Sequence, residues 1–261
     1  MIKKHPSKLT FFFAIFGSVL IFFIVWPLLR TITSSSPTLL WETLLDDDVR
    51  NSILLTFLSS AIATSIAFIL GLPLAYLLAR VEFRGRALVE AIIDIPIVVP
   101  HSAAGIALLM VFGRRSILGK LFSLVGISFV SAMPGIIIAM LFVSLSFFVN
   151  SARDGFKAVN PRLEGVARTL GSTPWEVFWQ ISFPLAWRGI LSGIVMMWAR
   201  GLSEFGAVVI LAYHPMIAPV LIYERFESFG LNYARPVATL IILISLFVFI
   251  TLRLVGRRNH A

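Results

Sequence analysis

The chain has no cysteine, which excludes a disulfide framework and any thiolate metal site and leaves its redox compartment open. Its four histidines, His5, His101, His214 and His260, are scattered, and no two stand at metal-ligand spacing. Charged residues make up only 13% of the 261 positions. No apolar run holds the paired histidines or the serine–base pair that an intramembrane enzyme needs. Long polar stretches are missing too, so little chain is left for a separate soluble domain. The expectation is a chain with no catalysis, no metal and no cofactor of its own.

What the chain does have is apolar length. Hydrophobic residues reach 58% and mean hydropathy is +0.94, more apolar surface than a soluble domain of this size needs. Six runs are long enough to cross a bilayer, which takes about 20 apolar residues each. They are Leu9–Leu29, Ser52–Ala79, Leu88–Phe112, Ala132–Asn150, Leu185–Tyr213 and Pro236–Val255. The second and fifth exceed the requirement and are expected to tilt or to project past the membrane. The prediction is an all-α polytopic membrane protein, six transmembrane helices forming one domain over residues 1–261.

Basic residues orient it. With the N-terminus inside, the cytoplasmic segments carry Lys3, Lys4, Lys8, Arg80, Arg84, Arg86, Arg153, Lys157, Arg162, Arg168, Arg188, Arg253, Arg257 and Arg258. The opposite side carries Arg30, Arg50, Arg114, Arg115, Lys120, Arg225 and Arg235, which makes 14 against 7. Both termini are therefore expected on the cytoplasmic side of the cell membrane, although Arg114, Arg115 and Lys120 run against the trend. The formal charge of +9 is mostly this topology signal. No basic cluster is interleaved with exposed aromatics, so nucleic acid is not an expected partner. Lys3, Lys4 and Lys8 precede the first run as in a signal peptide. That run is longer than a typical signal h-region and ends at Trp26-Pro27 without a small-x-small cleavage site, so it reads as a retained helix.

Between the fourth and fifth runs lies a helix–turn–helix, at about residues 160–184. Asn160-Pro161 reads as N-cap and first helical residue. Leu163, Val166, Ala167 and Leu170 follow at i, i+3, i+4 and i+7, giving one apolar helical face. Gly171 occupies the place of a left-handed C′ residue. Thr173-Pro174-Trp175-Glu176 is a capping box with proline at the first position. Trp175, Phe178 and Trp179 share one face of the second helix, too much aromatic surface for a solvated loop. Something is expected to cover it.

Polar groups inside the runs come at a cost in hydrocarbon and tend to be functional. Arg200 and Glu204 are four apart in Ala199-Arg200-Gly201-Leu202-Ser203-Glu204-Phe205-Gly206-Ala207 and can pair. Two readings stand: an ion pair that makes burial tolerable, or a latch beside a conduction path. The glycines there allow close backbone approach. In the third run Pro96 and Pro100 each remove a backbone hydrogen bond and bend the helix. Asp94 is read as a packing or loop contact rather than a ligand for an anion, and His101 as a satisfied polar group. Gly189 and Gly193 form a small-xxx-small pair, either a dimer contact or packing within the subunit.

The helix–turn–helix resembles the loop shared by permease subunits of prokaryotic ABC importers, whose consensus reads EAA, then Gly, then I-x-L-P. Gly171 is followed ten residues later by Ile181 and thirteen later by Pro184. The departures are specific. Aligned on Gly171, the consensus Glu falls on Gly165 and the first Ala on Val166, Ala167 matches, Glu164 stands one position early and Phe183 replaces Leu. Asp94-x-Pro96-x-x-x-Pro100 and Arg200-Gly-Leu-Ser-Glu204-Phe205-Gly206-Ala207 resemble signatures of permeases for tetrahedral oxyanions. Phe205, His101 and the stretch from Tyr213 to Pro219 with Ile222-Tyr223-Glu224 look closest to the molybdate and tungstate branch; sulfate permeases more often carry tyrosine at the Phe205 position.

The resemblance implies the type I ABC importer permease fold and a homodimer with the path on its two-fold axis. Two cytosolic ABC ATPase subunits, which bind the ATP and magnesium, and an extracytoplasmic oxyanion-binding protein are the implied partners, beside the lipid bilayer. It further implies that Leu163, Glu164, Gly165, Val166, Ala167, Arg168, Leu170, Gly171, Trp175, Phe178 and Pro184 couple to the ATPase. Asp94, Pro96, Pro100, His101, Arg200, Glu204, Phe205 and Gly206 would border the path or its gate.

Rival classes fare worse. An ion-coupled carrier would use intramembrane carboxylates and often inverted repeats, but only Glu90, Asp94 and Glu204 are available and no repeat is evident. Gly113–Lys120 is similar to a phosphate loop, yet has five residues between its glycines and Leu121 after the lysine, on the side away from the cytoplasm.

Overall fold

The computed structural model describes residues 8–258, outside which lie Lys3, Lys4, His5 and His260. Among the described residues all regular structure is helical. They fall into two compact units: one within Met1–Arg50 and Ile222–Ala261, the other Asn51–Leu221.

In the first unit, α1 (Lys8–Thr33) is apolar on every side and exposed along its whole membrane-length window, as suits a helix bathed in lipid. α2 (Pro37–Leu45) is short and capped by Ser36, whose hydroxyl accepts from the Leu39 N–H. α13 (Leu231–Arg258) packs against both, and its Thr239 hydroxyl donates to the Thr31 carbonyl at 3.2 Å. Asp46, after α2, accepts from Arg225 of α12 (Ala218–Phe229) at 2.7 Å. Burial pushes the Asp46 carboxyl up, but the Arg225 guanidinium and the Asp48 N–H outweigh it and hold it below the ordinary carboxylate range.

The second unit holds the core. α3 (Asp47–Arg80) has 34 residues, about 51 Å at 1.5 Å per residue, so it extends well past a bilayer of about 30 Å. α7 (Met133–Ala158) buries Ile136, Met140, Val143, Val149, Ala152 and Phe156 in a helical stripe. α10 (Phe183–Leu202) answers with Ala186, Ile190, Gly193, Met197 and Gly201. The two helices touch backbone to backbone: a Cβ on Gly193 would lie 3.0 Å from the Phe148 carbonyl oxygen. Ser151 of α7 donates to the Gly189 carbonyl at 2.9 Å. The Gly189–Gly193 pair thus packs within the subunit.

Two predicted spans are not single helices. The third run, Leu88–Phe112, forms α4 (Arg86–Val98) and α5 (His101–Phe112), turned 113° from each other. Pro100 is the cause. It has no N–H to continue the ladder and forces Val99 into the extended region, ψ 130°. Pro96, by contrast, stays inside α4. The fifth run, Leu185–Tyr213, starts earlier and ends sooner. Helix runs from Pro174 to Leu202, the chain is irregular over residues 203–205, and α11 (Gly206–Leu211) follows. Among the described residues five helices are long and apolar enough to cross a membrane, six if the bent pair α4–α5 counts as one span. The loop after α5 also carries a short helix, α6 (Ile117–Ser123), capped by Ser116.

Candidate functional site

The helix–turn–helix forms as its sequence predicts. Asn160 caps α8 (Pro161–Thr169), its side-chain oxygen accepting from the Arg162 N–H at 3.0 Å. Gly171 has φ +96°, and both Schellman bonds are present: Ser172 N–H to Ala167 C=O and Gly171 N–H to Arg168 C=O, each 3.1 Å. α9 (Pro174–Val177) opens with the capping box, Thr173 N–H to Glu176 Oε2 at 2.7 Å and Glu176 N–H to the Thr173 hydroxyl at 3.3 Å.

A π-helical turn over Phe178–Ser182 joins α9 to α10. Pro184 lies just beyond it and cannot donate to a carbonyl one turn back, and the widened turn absorbs that break in the ladder. The aromatic residues divide there. Phe178 is half-buried, edge-on to Tyr76 with ring centroids 5.0 Å apart and beside Phe156 at 6.0 Å. Trp175 and Trp179 remain exposed, 69% and 44%. On α8, Leu163, Gly165, Val166, Arg168 and Leu170 are exposed and Ala167 is half-buried. The result is an open apolar ledge of Leu163, Val166, Leu170 and Trp175.

Glu164 points the other way. Arg80, at the end of α3, donates from Nε to both carboxylate oxygens at 3.0 Å and from its NH2 group to Oε1 at 2.8 Å. The Ser182 hydroxyl donates to the same Oε1 at 2.7 Å. The spacing identifies Glu164 as a residue of α8 but says nothing of Arg80 or Ser182, which lie 84 and 18 positions away.

The intramembrane polar group assembles where the two predicted spans break. Glu204 is 1% exposed; its Oε1 accepts from the Ala207 N–H at 2.8 Å, closing the start of α11. Its Oε2 lies 2.9 Å from His101 Nδ1 and 3.2 Å from the Arg200 guanidinium. Arg200 also reaches His101 Nε2 at 2.7 Å. The same guanidinium nitrogen stands 2.9 Å from Nδ1, so both ring nitrogens face Arg200, while the Glu204 Oε2 meets its two neighbours at ion-pair distance without a hydrogen bond. His101 is indeed a satisfied polar group, and it staples α5 to the end of α10. Gly206 makes room for it, since a Cβ there would lie 2.8 Å from His101 Cβ. Phe205 packs half-buried against the core around Ala207 and Val208.

Asp94 does not join this group. Its Oδ1 accepts from the Asn150 side-chain amide of α7 at 2.6 Å, the packing contact expected of it. Pro96 is buried in α4, and Pro100 stands exposed at the break. A groove of about 440 Å³ opens beside Asn150, between α4, α7 and α10, with Ser146, Ser151, Asp154 and Ser192 among its lining. Sequence reasoning missed it, although Ser146, Asn150 and Asp154 recur at i, i+4 and i+8, a polar stripe on an otherwise apolar helix.

A family model described as binding-protein-dependent transport system inner membrane component matches residues 71–260. The molybdate/tungstate transport system permease protein WtpB of Thermococcus kodakarensis is 43% identical over 252 residues, 95% of this chain and 97% of the relative. Its counterpart in Pyrococcus abyssi is 43% identical over 250 residues, 95% of this chain and 96% of the relative. A probable sulfate transport system permease protein cysT of Chlorokybus atmophyticus is 30% identical, covering 99% of this chain and 91% of its own. Among solved structures, a bacterial ABC transporter involved in alginate import superposes with TM-score 0.75 at 18% identity, over 97% of each chain. The MetNI methionine ABC transporter gives 0.62 at 15% identity, over 86% of this chain and 97% of its own. The expected all-α, type I importer permease fold is thereby established. This multi-pass chain belongs to the binding-protein-dependent transport system inner membrane component family.

Proposed function

We propose that this chain is the permease subunit of an ATP-driven importer of molybdate or tungstate, with ATP and magnesium bound by a separate ATPase. The observation that carries it is the 43% identity, over 95% of the chain, to relatives named for those two anions. Relatives named for sulfate stand at 30–34%, and Phe205 in place of tyrosine points the same way.

The working unit in this reading is a homodimer, with one ATPase on each apolar ledge of Leu163, Val166, Leu170 and Trp175. Such a ledge suits the helix-in-groove mode of recognition. An extracytoplasmic binding protein delivers the anion from the far side, and the termini share the side of the ATPases. The 14 against 7 distribution of basic residues supports that orientation. When ATP draws the two ATPases together, the docking helices follow and the subunits rock outward-open; hydrolysis resets them.

For the path, the geometry favours weak handling of the anion. Arg200, the cation near the far end of the fifth run from Arg188, is engaged by Glu204 and His101. Two hydroxyls of the groove are committed as well: Ser146 donates to the Ile93 carbonyl and Ser151 to that of Gly189. A path that holds a dianion loosely releases it as readily as it admits it. The His101–Arg200–Glu204 group serves as a latch across the two helix breaks.

The test is uptake into proteoliposomes holding this chain, its ATPase and its binding protein. ATP-dependent accumulation of tungstate or molybdate, and not sulfate, is expected. Accumulation driven by an ion gradient without the ATPase would overturn the class.

A further inference from the structure

We infer that Arg80 is a positioning residue, the joint through which a push on α8 reaches the membrane helices. The inference rests on α8 being the ATPase-docking helix. It starts from a feature of that helix: α8 buries no residue. Apolar packing therefore does not fix it to the body. Its own chain ends hold it, and so does Glu164.

The Glu164 carboxylate collects four segments at one point. Arg80 brings the end of α3, and Ser182 the π-helical turn at the foot of α10. The same Arg80 NH2 group also donates to the Val159 carbonyl at 3.1 Å, which adds the link between α7 and α8. Both charged side chains are shielded, 12% and 14% exposed. A pair so placed is screened less by water and salt than a surface pair. The guanidinium fork supplies what a lysine would not: planar donors spanning both carboxylate oxygens and, beyond them, a carbonyl.

The chemistry accounts for the one-position shift of the acidic residue. At position 164 a carboxylate is turned toward the spans. At position 165, where the chain has Gly165, an added Cβ meets nothing within 4 Å. In this chain the acidic group of the docking helix faces its own subunit, and the face left for the ATPase carries Leu163, Val166 and Leu170 with the exposed Arg168 and no carboxylate.

The experiment uses the full complex in proteoliposomes and reads two quantities, ATPase bound per permease and ATP hydrolysed per anion imported. With Arg80→Gln, the ATPase is expected to stay bound at the unaltered ratio. ATP spent per anion should rise about fivefold or more, the low end of site-to-site coupling, and Arg80→Lys should recover part of it. An unchanged ratio of ATP to anion in Arg80→Gln overturns the inference; so does loss of the bound ATPase, which would place the pair in the docking surface itself.

Because the chain has no cysteine, an Arg80→Cys/Glu164→Cys variant can be joined by a bifunctional maleimide. Tighter coupling after joining, in the same sample, supports a mechanical joint. No recovery despite complete joining overturns it. Leu170→Asp separates the underlying reading: if that variant keeps its ATPase and its uptake, α8 is not the docking helix, whatever Arg80 does.

Discussion

Gly155 of α7 and Gly189 of α10 meet without side chains between them: a Cβ added to Gly155 would stand 2.9 Å from the Gly189 Cα. Nothing at that point can rotate aside, because the obstacle is main chain. Gly155→Val is therefore expected to force the two core helices apart, at the upper end of the roughly 1–3 kcal/mol that overpacking costs. Thermal unfolding of the purified chain in detergent should show Tm lowered by several degrees. An unchanged Tm would mean that the helices part freely there.

Arg200→Leu should harm the protein more than Arg200→Leu combined with Glu204→Gln. The single change leaves a carboxylate that is 1% exposed without its guanidinium, faced by His101 and the Ala207 N–H alone, and removing one partner of a buried ion pair costs about 3–5 kcal/mol. The amide of the double variant can still accept from the Ala207 N–H. Yield of folded protein and uptake rate check the order. Equal defects would assign the two residues separate roles.

The outline of the coupling element is legible in its amino acids alone. Asn160, Gly171 and the Thr173–Glu176 box are local signals, since each acts on backbone groups within three or four residues. The anchoring of Glu164 is not legible there. Its partners Arg80 and Ser182 arrive from other helices, and no spacing rule reports a contact across 84 positions. The breaks in the third and fifth spans escape for a related reason. Hydropathy measures whether a run can sit in lipid, not whether it turns there. Pro100 signals a bend, but the 113° angle is set by what α4 and α5 pack against. The fold class itself is secure, because apolar length alone decides it.

Gly171→Val should slow uptake while leaving the chain inserted. A β-branched residue at φ +96° costs about 1–2 kcal/mol, and the Schellman bonds at the end of α8 loosen with it. Copurification of the ATPase and transport by the reconstituted complex measure the loss. Full transport in this variant would count against α8 acting as a rigid element.

Trp175→Ala with Leu170→Ala should weaken ATPase copurification with little change in Tm, since both side chains are exposed and neither belongs to the core. Phe178→Ala should behave otherwise. Its ring packs on Tyr76 and Phe156, so truncation is expected to cost stability, less than the roughly 3–5 kcal/mol of a fully buried aromatic because the ring is half-buried. A Tm loss from the first pair and none from Phe178 would reverse the assignment of ledge and core.

The break at Val99-Pro100 works as an elbow. Val99 N–H bonds back to Ile95 at 3.1 Å, and Ala104 N–H bonds to Pro100 at 3.0 Å, so each arm closes its own ladder. Pro100 has no hydrogen to offer across the joint. Swinging α5 about α4 therefore breaks no backbone hydrogen bond at the joint itself, and the angle is held instead by the core packing of Ala104 and Leu108 and by side-chain ties such as His101 to Arg200 and Glu204. A membrane helix can usually flex only by surrendering backbone bonds in a medium that cannot replace them; this one is already severed at the place where it turns.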